Sequence, residues 1–136
     1  MKNKDATFTF KEFYEDLNRA FKAAQRHHNF PTQAKTMEYA VNTPSSRFWV
    51  SAERLKEVIY KIESGKDYSK TILRKEMYDE LYRRYLQYRN NPENKHLSKI
   101  DICYNIVYST APKFYITTTW ALEKFYKGRK EFKNEK

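Results

Sequence analysis

The chain has 136 residues and a formal net charge of +10 at pH 7, and 40% of its residues are hydrophobic and 17% aromatic. This length gives one or two small domains, and this apolar content is enough for a core, which excludes a wholly disordered chain. Two Gly and four Pro are too few for the regularly spaced turns of a β-sandwich or β-barrel.

The first predicted helix begins after Thr9 and runs to about residue 26. Thr9 and Glu12 have the spacing of a capping box, in which each side chain satisfies a backbone amide at the helix end. Apolar residues then recur every three or four positions: Phe10, Phe13, Tyr14, Leu17, Phe21 and Ala24. Because proline disfavours helix in the residue before it, Pro31 ends this element. A short second helix follows Thr32 as its N-cap and ends at the turn 42–46.

The next segment, Arg47-Phe48-Trp49-Val50-Ser51, is rich in β-prone residues and predicts a short extended pentad before a third helix. Ser51 is the expected N-cap of that helix. Its apolar stripe is Leu55, Val58, Ile59 and Ile62, and Gly65 is expected to end it in a left-handed conformation.

The second half of the chain repeats the first. The pentad returns as Lys113-Phe114-Tyr115-Ile116-Thr117, and residues 11–21 match residues 75–85. Corresponding helices are predicted from about Ser69 to Arg89, after Ser98, and from Thr117 until Gly128, with a basic tail over 127–136. We therefore predict an all-α tandem duplication of a three-helix unit.

The predicted repeats are residues 1–66 and 67–136, and residues 64–69 form the linker between them. A repeat of this size is marginally stable alone, so we expect the two to pack as one unit around a pseudo-twofold axis. The two pentads could pair near that axis as a minimal ribbon.

The second helix, turn and third helix of each repeat resemble a helix-turn-helix, in which the second helix of the pair enters the DNA major groove. The connecting segment is longer than usual, and Glu53 and Glu57 on the first such helix would repel phosphates. Basic residues nevertheless surround both third helices, although helix-dipole complementarity alone also favours such charges. The candidate phosphate contacts are Arg47, Arg54, Lys56, Lys113, Lys124, Lys127, Arg129 and Lys130.

Three aromatic residues suggest an alternative function in protein interaction or assembly. If Phe48 and Phe114 point inward, alternation turns Trp49 and Tyr115 the other way. There they could stack on bases, although packing between the repeats is the favoured interpretation. With Trp120, which replaces Arg54 in the second repeat, they form the candidate protein interface.

Nothing in the sequence indicates catalysis, so we expect a non-enzymatic protein without cofactor or small-molecule substrate. The adjacent acids Glu15 and Asp16 diverge by about 100° around a helix and do not converge on a substrate. The pair His27-His28 lacks a spaced Cys/His set for a metal site. The one cysteine, Cys103, occupies an apolar helix position and is expected in the core. A Gly-rich phosphate loop and a nucleophile elbow are both missing from the sequence.

The pentads with their preceding Pro-Ser-Ser or Ala-Pro, together with the Lys-Glu-x-Tyr-acid-acid-Leu helix, resemble small, basic, duplicated proteins of bacteria and their mobile elements. That resemblance covers nearly the whole chain and implies no established activity. No apolar run approaches the length of a membrane span and no signal-like segment follows Met1, so a cytoplasmic protein is expected.

Overall fold

The computed structural model describes residues 8–133. These residues form six α-helices: α1 (Phe10–His27), α2 (Gln33–Val41), α3 (Ala52–Glu63), α4 (Ile72–Arg89), α5 (Lys99–Val107) and α6 (Thr118–Phe132). A single 3-10 turn, Pro92–Asn94, lies between α4 and α5. The described part of the chain contains no β-strand, which confirms the all-α class. None of the six helices combines the length and the apolar character that crossing a membrane requires.

Five of the six helix starts are those that the sequence predicts, whereas α4 begins at Ile72 after the N-cap Thr71 and not at about Ser69. The Thr9 hydroxyl accepts from the Glu12 N–H and the Glu12 carboxylate accepts from the Thr9 N–H, as a capping box requires. Hydroxyls also cap α2, α3, α5 and α6, and the capping residues are Thr32, Ser51, Ser98 and Thr117. Each of these bonds joins residues three apart, so local sequence suffices to place it.

The helix ends are predicted less well. Gly65 follows the C-cap of α3 with φ of +72°, as expected for a left-handed helix stop. Gly128, in contrast, lies inside α6, which continues to Phe132. The predicted stop at Gly128 is therefore wrong, and residues 127–132 of the predicted basic tail are helical. Residues 134–136 of that tail and residues 1–7 lie outside the described part of the chain.

Contacts between helices divide the described residues into two compact units. The α3–α4–α5 unit comprises Phe8 and residues 47–110, and the α1–α2–α6 unit comprises residues 9–46 and 111–133. Within the first, α3 packs on α4 and α5; within the second, α6 packs on α1 and α2. This division differs from the predicted boundary at residue 66, because α3 packs with α4 and α5 of the other predicted repeat, and α6 packs with α1 and α2.

The same backbone hydrogen bond marks the start of the third helix in both units. The Phe48 N–H donates to the carbonyl of Val107 at the end of α5, over 2.9 Å. The Phe114 N–H donates to the carbonyl of Val41 at the end of α2, also over 2.9 Å. The predicted helix-turn-helix pairs, α2 with α3 and α5 with α6, are therefore wrong, because the two helices of each pair belong to different units.

The cores of both units consist of the apolar stripes that the sequence predicts. The α3–α4–α5 unit buries Phe48, Leu55, Val58, Ile59, Met77, Leu81, Cys103 and Val107. The α1–α2–α6 unit buries Leu17, Phe21, Met37, Val41, Phe114 and Phe125. Burial raises the pKa of the Cys103 thiol to about 12, so this residue is a packing group, as expected.

A buried carboxylate in α1 fixes the chain segment that leads out of α2. Asp16 accepts from the Ser45 hydroxyl (3.1 Å), the Ser46 N–H (2.9 Å) and the Arg19 guanidinium (2.9 Å). Burial alone would raise the pKa of Asp16, but the hydrogen bonds from Ser46 and Arg19 outweigh it, and the net pKa is lowered. Arg19 also donates to the Pro44 carbonyl (3.2 Å).

The α3–α4–α5 unit contains a related arrangement. Glu80, the position matched to Asp16, accepts from Arg84 (2.7 Å), and Arg84 donates to the Thr110 carbonyl (2.8 Å). Pro44 and Thr110 are matched positions in the sequence repeat. In the α1–α2–α6 unit an acid and an arginine of α1 therefore hold the segment that follows α2. In the α3–α4–α5 unit an acid and an arginine of α4 hold the segment that follows α5.

An isolated backbone bridge precedes the pentads within the α1–α2–α6 unit. The paired residues are Ser45 and Ala111, which precede the pentads and exchange N–H···O bonds of 2.9 and 3.0 Å as an isolated bridge. Tyr115 adopts φ of +60°, which is uncommon for a bulky residue and breaks the regular alternation of an extended segment. Phe48 and Phe114 are both buried, as predicted, but Tyr115 is buried as well.

Candidate nucleic-acid interface

A basic cleft lies between α3 and the N-terminal end of α4, within the α3–α4–α5 unit. It has a volume of about 430 Å³ and is lined by Arg54, Lys61, Asp67, Tyr68, Ser69, Lys70, Thr71, Arg74 and Tyr78. Four of these side chains are cationic and one is a carboxylate. Because a concave surface lined by one sign of charge concentrates counter-ions, the cleft is a candidate site for an anionic ligand.

Two of the four cations have no side-chain partner within the described residues. Lys61 and Lys70 make no ion pair and no side-chain hydrogen bond among residues 8–133. Arg54 forms an exposed ion pair with Glu57 (3.1 Å), a contact that contributes little in high dielectric and can be exchanged for a ligand. The positive charge of the cleft is therefore largely available to a bound anion.

The end of α4 adds to this positive character. Thr71 caps the helix by accepting from the Arg74 N–H (3.3 Å), and α4 then runs for 18 residues. The first N–H groups of a helix carry partial positive charge, which stabilises anions near this end. The Arg74 guanidinium lies over the ring of buried Tyr78, 6.0 Å from its centre, and packs against it.

A nearby acid is neutralised by its own neighbours. Asp79 accepts from Lys75 (3.0 Å) and from the Tyr68 hydroxyl, and the Lys75 ammonium also lies 5.5 Å from the centre of the Tyr68 ring. The hydrogen bond to Asp79 raises the pKa of the Tyr68 hydroxyl. Asp79 thus fixes the tyrosine at the wall of the cleft, while its charge is balanced by Lys75.

Arg47 is not available to phosphate, contrary to the sequence prediction. It is 7% exposed, and its guanidinium donates to the carbonyls of Phe48 (2.9 Å) and Val50 (3.0 Å). The same group lies over the rings of Phe8, Trp49 and Tyr108, at 5.2, 5.0 and 4.2 Å from their centres. Through these contacts the buried Arg47 stabilises the conformation of its own pentad, residues 47–51.

Lys56 lines a second, more open groove of the α3–α4–α5 unit, with a volume of about 680 Å³. This groove lies between α3 and α5 and is lined by Glu53, Lys56, Glu57, Tyr60, Lys61, Lys99 and Ile100. Its three lysines are opposed by two glutamates. The repulsion of phosphates that the sequence suggests for Glu53 and Glu57 therefore applies to this groove more than to the basic cleft.

Four of the predicted phosphate contacts in the α1–α2–α6 unit lie against aromatic rings. The charged groups of Lys113, Lys124, Lys127 and Arg129 are 5.4, 5.2, 4.7 and 5.4 Å from the centres of the rings of Tyr115, Trp120, Phe10 and Phe125. Lys130 is exposed near the end of α6. Side chains of this kind cover apolar surface with their stems and keep the charge in contact with water.

The three predicted interface aromatics have different environments. Trp120 is 42% exposed and packs against Phe13, with ring centres 5.7 Å apart. Trp49 is half-buried and meets Phe8 edge to face at 5.0 Å. Tyr115 is buried, so it offers no surface to a partner protein, contrary to the prediction. Only Trp120 of the three is an exposed aromatic surface.

One histidine of the pair, His28, is part of an aromatic cluster. His28 packs against Phe30 and Tyr39, with ring centres 5.2 and 4.3 Å apart. Among residues 8–133, no group of three or more His, Cys, Asp or Glu side chains is placed to share a metal ion. The described residues thus offer no such donor set around His28.

Three cations of the basic cleft, Lys61, Lys70 and Arg74, are not among the predicted phosphate contacts. Lys61 lies on α3, whereas Lys70 and Arg74 lie before and within the first turn of α4, away from the third helices on which the prediction concentrated. One signal was available in the sequence: Arg74 stands where the first repeat has Phe10, a change from apolar to cationic of the same kind as Trp120 against Arg54. Both changes involve the same cleft.

Comparison of the chain with family models, with curated proteins and with solved structures finds no match.

Proposed function

We propose that the protein is a non-enzymatic nucleic-acid-binding accessory protein that uses the basic surface around its third helices. The observation that carries this proposal is the basic cleft, where four cations meet at the positive end of α4. A sugar-phosphate backbone matches such a site because it presents anionic oxygens at regular intervals. The overall charge of +10 would speed its association with polyanions.

The phosphate contacts fall into two groups. In the α3–α4–α5 unit they are Arg54, Lys61, Lys70 and Arg74 of the cleft, with Lys56 in the adjacent groove. In the α1–α2–α6 unit they are Lys113, Lys124, Lys127, Arg129 and Lys130. Contacts of this type supply affinity and orientation, whereas sequence preference requires base edges or DNA shape. The protein therefore binds generic nucleic acid measurably at low salt.

The test is a fluorescence-anisotropy titration of nuclease-treated protein against labelled 20-base-pair DNA and single-stranded RNA. Neutralising about five phosphates gives a slope of log K against log salt near −4 to −5 on duplex DNA. Binding in the micromolar range that weakens steeply between low salt and 200 mM is expected. A slope near zero, or no binding at low salt, refutes the proposal.

A charge-matched pair of variants separates the cleft from net charge. The variant Arg54→Gln with Arg74→Gln removes two cations of the cleft and should weaken binding at least tenfold and reduce the salt slope by about two. The control, Lys22→Gln with Arg26→Gln, removes two exposed cations from α1. Equal losses in the two variants would mean that only net charge matters.

A protein-interaction or assembly module, such as a structural or regulatory component of a phage or mobile element, is the second candidate. It is favoured by the exposed indole of Trp120 on α6. In this case Trp120→Ala abolishes a homo-oligomer or partner complex that moderate salt leaves intact. Assembly that is unchanged in Trp120→Ala and in Trp49→Ala removes this candidate.

A further inference from the structure

The two units differ in the charge of their matched side chains at the place where the α3–α4–α5 unit has its basic cleft. The sequence repeat matches Arg54 with Trp120 and Arg74 with Phe10. It also matches Lys66, which follows α3, with Phe132 at the end of α6. At these three positions a cation in one unit corresponds to an aromatic residue in the other.

In the α1–α2–α6 unit two of these aromatic residues, Phe10 and Phe132, pack on one another, whereas Trp120 packs on Phe13. Phe10 and Phe132 have ring centres 6.0 Å apart, and the Tyr14 ring lies 5.6 Å from Phe132. The Lys127 ammonium, matched to Lys61 of the cleft, lies over the Phe10 ring at 4.7 Å. Phe10 and Lys127, which are matched to the cleft residues Arg74 and Lys61, therefore pack against each other in this unit.

In the α1–α2–α6 unit the backbone of α6 lies close to the Tyr14 ring. Gly128 of α6 corresponds to Ile62 of α3, and a Cβ at Gly128 would lie 2.1 Å from Cδ1 of Tyr14. The Tyr14 ring therefore occupies the space directly above α6. The matched residue Tyr78 instead forms part of the lining of an open cleft. The matched tyrosines therefore have different surroundings: Tyr78 lines an open polar cleft in the α3–α4–α5 unit, and Tyr14 belongs to a closed aromatic layer in the α1–α2–α6 unit.

We propose that the basic cleft of the α3–α4–α5 unit is the single site for the sugar-phosphate backbone among the described residues, and that the α1–α2–α6 unit has no equivalent site. This inference rests on the proposed nucleic-acid function and places the binding site in only one of the two units. The cations of α6 then add general attraction to a polyanion without enclosing a phosphate. The protein binds one short nucleic-acid segment per chain and does not read two half-sites with its two repeats.

The first test is the stoichiometry of the full-length protein with a DNA hairpin of eight base pairs, titrated at low salt and at protein concentrations well above the Kd. A break point at one hairpin per chain supports the single site. A break point at two hairpins per chain overturns the inference and leaves the proposed function intact. Absence of binding to the hairpin and to longer DNA overturns both.

The second test compares two charge-matched variants. Arg54→Trp with Arg74→Phe transfers the aromatic residues of the closed unit into the basic cleft and should weaken hairpin binding at least tenfold. Lys22→Gln with Arg26→Gln removes two exposed cations from α1, which are not among the proposed phosphate contacts, and should weaken it less than threefold. The reverse order, or equal losses in variants whose circular dichroism matches that of the parent, refutes the single cleft.

Discussion

Gly128 gives the most direct test of the packing in the α1–α2–α6 unit. In Gly128→Ala the added Cβ would lie 2.1, 2.5 and 2.6 Å from three carbons of the Tyr14 ring. Carbon atoms normally approach to about 3.5 Å, so the ring must retreat by roughly 1.4 Å. Its retreat is restricted by Phe125 and Phe132, whose ring centres are 6.2 and 5.6 Å away.

The expected magnitude follows from two opposing effects. Overpacking a well-filled core costs about 1 to 3 kcal/mol, and more when the neighbours cannot move. Replacing glycine by alanine within a helix contributes up to about 1 kcal/mol in the other direction. We expect a net loss of about 1 to 2 kcal/mol in the free energy of unfolding, which lowers Tm by roughly 3 to 10 °C in a chain of this size.

Urea and thermal unfolding followed by circular dichroism measure this change. The matched control is Gly128→Ala in a Tyr14→Ala background, where the ring is absent and the alanine should be neutral or stabilising. A Gly128→Ala protein as stable as the parent, or more stable, would show that Tyr14 does not occupy this position. It would also remove one argument for the closed aromatic layer.

Three further predictions concern buried groups. Asp16→Asn should lower the free energy of unfolding by about 1 to 3 kcal/mol at pH 7. Because the pKa of Asp16 is lowered in the folded protein, its contribution is present above the ordinary value of 3.8 and is lost as pH falls through the lowered folded-state pKa; the stabilities of parent and variant in urea should therefore converge as the pH is lowered below 3.8, and a constant difference would contradict the assignment. Arg47→Lys keeps the charge but loses hydrogen bonds to Phe48 and Val50, so urea unfolding should reveal a loss of about 2 to 3 kcal/mol while DNA affinity and the salt slope, measured on the folded protein, stay unchanged. Cys103, whose pKa is raised to about 12, should react with a thiol reagent at pH 8 only at the rate of unfolding, and rapid labelling of the native protein would contradict its burial.

The local features of the fold could be predicted because their causes are local. A capping hydroxyl such as Thr9 or Ser51 bonds an amide three residues away, and Gly65 adopts a left-handed conformation directly after its own helix. The apolar stripes similarly depend only on spacing within one helix. These features are written in short windows of the chain.

The functional surface depended on residues that are distant in sequence. Arg47 was predicted to contact phosphate because it is a basic residue next to a third helix. Its carbonyl acceptors are within three residues, but its burial also depends on the ring of Tyr108, about sixty residues further along. In the basic cleft, Lys70 and Arg74 join Arg54 only because α3 and α4 pack together.

By itself, the sequence determined the helical class, the five capping residues confirmed at helix starts and the composition of the core, because each follows from propensity, spacing and burial preference within a single element. Only the tertiary structure decided which third helix packs with which pair of helices. The two third helices carry similar apolar stripes, and Phe48 and Phe114 each need only a valine carbonyl at the end of a second helix. Since Val41 and Val107 offer equivalent acceptors, the local pattern fits either partner, and the choice between them depends on packing along the whole length of the helices.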